Sequence, residues 1–84
     1  MTRLLLEERE SRGVLQVGVA RRLGIDHAAV HRLERRPLDR IRPATLKRYR
    51  AAVDAELEAQ RQAARELAAL HLVKAELLLA EVAE

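Results

Sequence analysis

Gln16-Val-Gly-Val-Ala20-Arg-Arg-Leu-Gly24-Ile-Asp26-His-Ala-Ala-Val30-His-Arg-Leu33-Glu-Arg35, residues 16 to 35, is the stretch whose reading decides the fold. It reads as two short helices, residues 16–23 and 27–35, joined by a tight turn. Gly24 supplies the bend, since glycine takes the left-handed conformation that ends a helix without a Cβ penalty. Asp26 is a strong N-cap for the second helix, its carboxylate placed to accept a first-turn amide. Ala20 and Val30 are small and apolar where two crossing helices touch, and Leu33 continues the inner stripe. The outer face of the second helix carries His27, His31, Arg32 and Arg35. This is the helix-turn-helix arrangement, which pushes its second helix into the major groove of duplex DNA.

The flanks extend the same pattern. Leu4, Leu5 and Leu6 among Glu7, Glu8, Arg9, Glu10 and Arg12 predict a first helix over residues 3–12, with Thr2 as N-cap and Gly13 as its end. In the helix 16–23, Val17, Ala20 and Leu23 form the predicted buried stripe, and Gly18 is a poor helix former at its centre. Pro37 stops the third helix. Residues 37–43 then form a proline-bounded loop that carries Arg40 and Arg42 and is anchored by Leu38 and Ile41.

From Ala44 to Glu84 there is neither glycine nor proline, a run of 41 residues that as one helix would extend about 60 Å. One apolar stripe runs through Leu46, Tyr49, Val53, Leu57, Ala64, Leu67, Ala68, Ala75, Leu78 and Val82, at a rhythm closer to 3.6 than to a strict heptad. A second patch, Leu70, Val73, Leu77 and Ala80, lies on another face. A terminal helix apolar on two sides either folds back over its own domain or pairs with another subunit. The shortness of the domain favours the second. Whether the segment is one rod or bends near residues 58–62 stays open.

Eighty-four residues allow one small domain and one additional helical element, with a core marginal enough that oligomerisation is expected. The chain has no cysteine, so disulfides, thiolate zinc sites and cysteine nucleophiles are excluded, and its three histidines match no metal motif. No nucleophile–base pair or phosphate loop is present, so no enzymatic activity, metal or cofactor is expected. No signal peptide or membrane-spanning run is read, and residues 63–84 lack the basic face of a membrane-surface helix; no membrane partner and a cytoplasmic location are expected. The net charge of +3 hides an asymmetry. Residues 1–50 hold 13 Lys and Arg against 6 Asp and Glu, whereas residues 51–84 hold 3 against 7. A basic front half is the electrostatic footprint of a nucleic-acid binder.

At Gln16, Ala20, Gly24, Val30 and Leu33 the chain resembles the Cro/C1-type helix-turn-helix family, also called the Xre family. The flanks Leu5-Leu6-Glu7-Glu8-Arg9-Glu10-Ser11-Arg12-Gly13 and Leu33-Glu34-Arg35 resemble the family's first helix and the end of its third, so the likeness covers residues 3 to 53. Ala44-Thr45-Leu46-Lys47-Arg48-Tyr49 resembles a segment frequent in antitoxins of the HigA kind. The resemblance implies an all-α, lambda-repressor-like helix-turn-helix domain (residues 1–53), and the run without glycine or proline adds a long C-terminal helix, or two, for dimerisation or partner binding (residues 54–84). The resemblance also implies an operator-binding homodimeric repressor, with a toxin as a further partner. Two features depart from the family pattern. His27 stands where glutamine is common, and the C-terminus is a long apolar helix.

Within this frame the first turns of the third helix offer His27, Ala28, His31 and Arg32 to the base edges. Arg32 can donate two parallel hydrogen bonds to guanine O6 and N7; the histidines can donate or accept singly, and Ala28 can touch a thymine methyl. Gln16, at a helix N-terminus, is placed for a phosphate, and Arg35, Arg36, Arg40, Arg42 and Lys47 are candidate sequence-blind phosphate contacts. The bland account of each is a solvated surface side chain. Leu67, Leu70, Val73, Leu77, Leu78 and Val82 are the candidate dimer interface. The expected function is a sequence-specific regulator of double-stranded DNA; the alternative is an antitoxin or adaptor whose C-terminal helix mainly binds a protein.

Overall fold

The computed structural model describes residues 4–82, with side chains through residue 80. Four helices follow in order: α1 (Leu5–Ser11), α2 (Gln16–Leu23), α3 (His27–Glu34) and α4 (Pro43–Val82), with one 3-10 turn at Leu38–Arg40 before α4. No strand occurs among the described residues, and the protein is all-α: a helix-turn-helix followed by one long helix.

The helix ends follow from local chemistry. Gly13 and Gly24 sit at φ 67° and 68°, the left-handed region. After α2 the Gly24 N–H donates to the Arg21 carbonyl and the Ile25 N–H to that of Ala20; after α1 the Gly13 and Val14 N–H groups donate likewise to Glu10 and Arg9. Each glycine thus closes a Schellman motif, satisfying carbonyls that the helix end would otherwise orphan. Asp26 caps α3, accepting from the Ala29 N–H at 2.7 Å, a contact worth about 1 kcal/mol. Pro43 opens α4, where its missing N–H costs nothing. The first helix starts at Leu5, two residues later than the sequence pattern predicts, behind Leu4, which offers no side-chain cap. Thr2 lies outside the described residues.

The core is Leu5, Val14, Val19, Ala20, Val30, Ile41, Tyr49, Ala52 and Val53, ringed by half-buried Leu23, Leu33, Leu38, Leu46 and Leu57. Burial of each large member contributes about 1.5–3 kcal/mol. Helix α2 packs on both α3 and α4, while α1 rests on α3. That double contact corrects the predicted stripe of α2. Val17 is 52% exposed, and the buried residues are Gly18, Val19 and Ala20. A helix gripped from two sides buries consecutive residues, and Val17 falls outside both grips. Leu38 and Ile41 anchor the loop as expected.

Helix α4 runs unbroken through residues 58–62, giving the molecule extents of 66 × 28 × 19 Å. It crosses the expected boundary at 53/54 without interruption, and Leu57 is its last apolar side chain on the core. Every side chain from 61 to 80 is exposed. The rear of α4 therefore does not fold back over its own domain. Among the described residues, no helix is long and apolar enough to cross a membrane.

Candidate nucleic-acid interface

The turn at Gly24 and the cap at Asp26 fix where α3 begins, and therefore which side chains its first turns present. His27, Ala28, His31 and Arg32 are all exposed. Together with Gln16 from the start of α2 they line one open concavity of about 460 Å³. The four candidate base-reading residues and the candidate phosphate contact Gln16 thus share one surface.

The basic residues divide into two sets. Arg9, Arg12, Arg22, Arg50 and Arg65 are held by Glu34, Asp54, Glu56, Glu8 and Glu58. Arg21, Arg32, Arg36, Arg40, Arg42, Lys47, Arg48, Arg61 and Lys74 have no carboxylate partner among the described residues, and all are exposed. Arg35 is engaged differently: its Nη1 lies 2.9 Å from His31 Nδ1. A guanidinium only donates, so Nδ1 accepts, and the N–H that His31 turns to its surroundings is on Nε2. Helix α2 has no side-chain N-cap, its preceding residue being Leu15. Its first amides are open to an acceptor from outside, as the N-terminal amides of an uncapped helix are.

Behind this surface lies a buried polar hub absent from the sequence reading. Glu34, the last residue of α3, is fully buried. Arg9 of α1 donates to it through Nε (2.6 Å) and Nη2 (3.2 Å), and the third guanidinium nitrogen, Nη1, donates to the Val14 carbonyl at 2.8 Å. Tyr49 of α4 donates its hydroxyl to Glu34 Oε2 at 2.5 Å, and Gln16 donates its amide to Oε1 at 2.6 Å. All four helices therefore meet on one carboxylate. Burial pushes the Glu34 carboxyl up, but the hydrogen bonds from Arg9, Tyr49 and Gln16 and the Arg9 charge outweigh it and hold it below its ordinary value. Burial, and then the neighbouring carboxylate, raise the Tyr49 hydroxyl well above its usual range.

The hub changes the part Gln16 plays. Its side-chain amide is committed inward, so one Nε2 hydrogen and the backbone N–H are what remain for a phosphate. The hub also had a signature in the sequence. Arg9 stands four residues after Leu5, and Glu34 four after Val30, so each places a charge on the buried stripe of its own helix, with opposite signs.

The candidate dimer residues Leu67, Leu70, Val73, Leu77 and Leu78 are 50–62% exposed; the side chain of Val82 lies outside the described residues. The chain matches no family model, and comparison with curated proteins and with solved structures returns no significant similarity.

Proposed function

We propose that this chain is a sequence-specific regulator of double-stranded DNA of the Cro/C1 (Xre) kind, a repressor that acts as a homodimer on a palindromic operator. One observation carries the reading. Gln16, His27, Ala28, His31 and Arg32 line one exposed concavity at the start of α3.

In this mechanism α3 enters the major groove. Arg32 donates two parallel hydrogen bonds to guanine O6 and N7, worth about 1–3 kcal/mol of discrimination. His31, with Nδ1 occupied by Arg35, donates from Nε2 to a purine N7 or guanine O6. His27 makes a single contact and Ala28 packs on a thymine methyl. The uncapped start of α2 and the outward side of Gln16 hold a phosphate, while Arg36, Arg40, Arg42 and Lys47 follow the backbone without reading sequence. Arg35 serves His31 as well as a phosphate.

A single recognition helix buries too little surface for tight specific binding, so two copies must share a site, with recognition helices about 34 Å apart. Selection of bound sequences from random duplex DNA is the test. An inverted repeat with half-sites one helical turn apart is the expected outcome; a bound pool no different from the input would end the reading.

A further inference from the structure

We propose that Arg35 is a specificity-determining residue that acts through His31 and bars cytosine from the base position which that histidine reads. The inference deepens the DNA reading and rests on it. Arg35 is the C-cap of α3, where the negative end of the helix favours a cation. The neighbouring carboxylate, Glu34, is buried and taken by Arg9, Tyr49 and Gln16, so it offers Arg35 nothing. The Arg35 amide donates to the Arg32 carbonyl, and the carbonyl before it, that of His31, is left to the side chain. Arg35 therefore turns back along its own helix. Its Nη1 carries two hydrogens, one for the His31 carbonyl at 3.4 Å and one for His31 Nδ1 at 2.9 Å.

A guanidinium stays charged and only donates, so the ring nitrogen that faces it must be bare. A bare Nδ1 puts the proton of the neutral His31 ring on Nε2. That nitrogen is the one left for the concavity, which His31 lines with Gln16, His27, Ala28 and Arg32. Without such a partner a neutral imidazole carries its proton on either nitrogen, and Nε2 can accept as well as donate. The tautomer matters because of what the major groove displays. Guanine and adenine offer N7, guanine also O6, and thymine O4, all acceptors; cytosine offers only its amino donor. A His31 held as a donor finds an acceptor on three bases and a second donor on cytosine. Two donors face to face leave both unsatisfied, and each costs its desolvation. Arg35 thus touches no base, yet decides which base His31 refuses. Its Nε and Nη2 remain for a phosphate.

Selection of bound sequences from random duplex DNA by the full chain, at about pH 8 and so above the ordinary histidine range, tests the step. His31→Ala identifies the column that His31 reads, as the one whose preference it erases. In the wild-type pool cytosine should be depleted there by about tenfold, and in the Arg35→Met pool it should return to near parity with the other bases. Losing a phosphate contact alone weakens every sequence alike and leaves that column unmoved. Nitrogen NMR of the imidazole rings in the DNA-free chain gives a second readout: His31 Nδ1 unprotonated in the wild type, and both tautomers populated in Arg35→Met. Both positions are exposed, so neither substitution touches the core. Cytosine still excluded in the Arg35→Met pool, or a His31 tautomer which that substitution does not change, overturns the proposal. So does a His31→Ala pool in which no column changes. A wild-type pool no different from the input ends the DNA reading and this proposal with it, whereas a selected pool whose cytosine column ignores Arg35 ends this proposal alone.

Discussion

The two halves of α4 share a backbone and much of their composition, yet they meet opposite fates. From Pro43 to Leu57 the apolar residues Leu46, Tyr49, Val53 and Leu57 recur on one side, and that side is sealed against α1, α2 and the loop. From Arg61 to Ala80 apolar residues point in nearly every direction and all are exposed. One compact domain of this size can cover a single helical stripe but has no surface left for a second. The difference shows that a helix's fate is set by the angular width of its apolar surface more than by its propensity, which is high throughout. The front half is completed by its own chain. The rear half stays exposed along its length.

The sharpest way to break this comparison is to attack what makes the front self-sufficient. Glu34→Ala leaves the Arg9 guanidinium buried without its carboxylate, and removing one partner of a buried ion pair costs about 3–5 kcal/mol. Urea unfolding followed through Tyr49 should show that loss; a change below about 1 kcal/mol would mean that the apolar contacts hold the four helices without the hub. The hub also makes the stability of the fold depend on pH. Because the folded Glu34 value is depressed, its contribution is present above the ordinary carboxylate range near pH 4 and is lost as pH falls through the lower folded value. Because the folded Tyr49 value is raised, its contribution is present below about pH 10 and is lost as pH climbs past it. Tyr49→Phe should flatten the alkaline limb of stability against pH, and an unchanged limb would assign it to other groups.

Substitutions at the reading surface should leave both halves folded and the mass unaltered, separating what the head does from how it is assembled. Arg32→Ala is expected to cost about 1–3 kcal/mol of discrimination at one base position while non-specific affinity barely changes. Equal losses on specific and random duplexes would move Arg32 to the phosphates. Arg42→Ala should act in the opposite manner, weakening all sequences alike and reducing the log–log salt slope by about one unit. An unchanged slope would place Arg42 away from the backbone.

Much of this was legible in the sequence, for identifiable reasons. Gly13, Gly24 and Asp26 act through local backbone chemistry, so the order of helices and the start of α3 could be read directly, whereas Pro43, placed in the loop by the pattern, opens α4. The concavity followed, because a helix with a known first residue and a known inner stripe has only one outer face. Two things were not legible. Val19 rather than Val17 is buried because α2 is gripped by both α3 and α4, and the angle between two grips is a tertiary quantity. The hub joins residues 9, 16, 34 and 49, and nothing local says that a charge on one buried stripe meets a charge on another. The continuity of α4 through 58–62 was undecided because Glu58, Gln60, Arg61 and Gln62 favour a helix and a solvated bend alike.

The smallest expected effect lies where the two halves of α4 meet. Gly18 in the middle of α2 looks like a defect, since glycine there costs about 1 kcal/mol relative to alanine. A Cβ at this position would come within 2.5 Å of Glu56 Oε1 and 2.6 Å of its Cδ, so the glycine makes room for a carboxylate from α4. That carboxylate accepts from Arg22 Nε at 2.6 Å, a partly exposed pair worth about 0–1 kcal/mol. Gly18→Ala therefore trades a propensity gain against a displaced ion pair of similar size, and its net effect should lie within about 1 kcal/mol of zero. The two terms separate in a double-mutant cycle. With Glu56 first changed to alanine, no carboxylate remains to move, and Gly18→Ala should stabilise by about 0.5–1 kcal/mol. If Gly18→Ala destabilises by more than about 2 kcal/mol in either background, the backbones of α2 and α4 set the spacing, and the front half is pinned to α4 by close helix packing instead of by the Arg22–Glu56 pair.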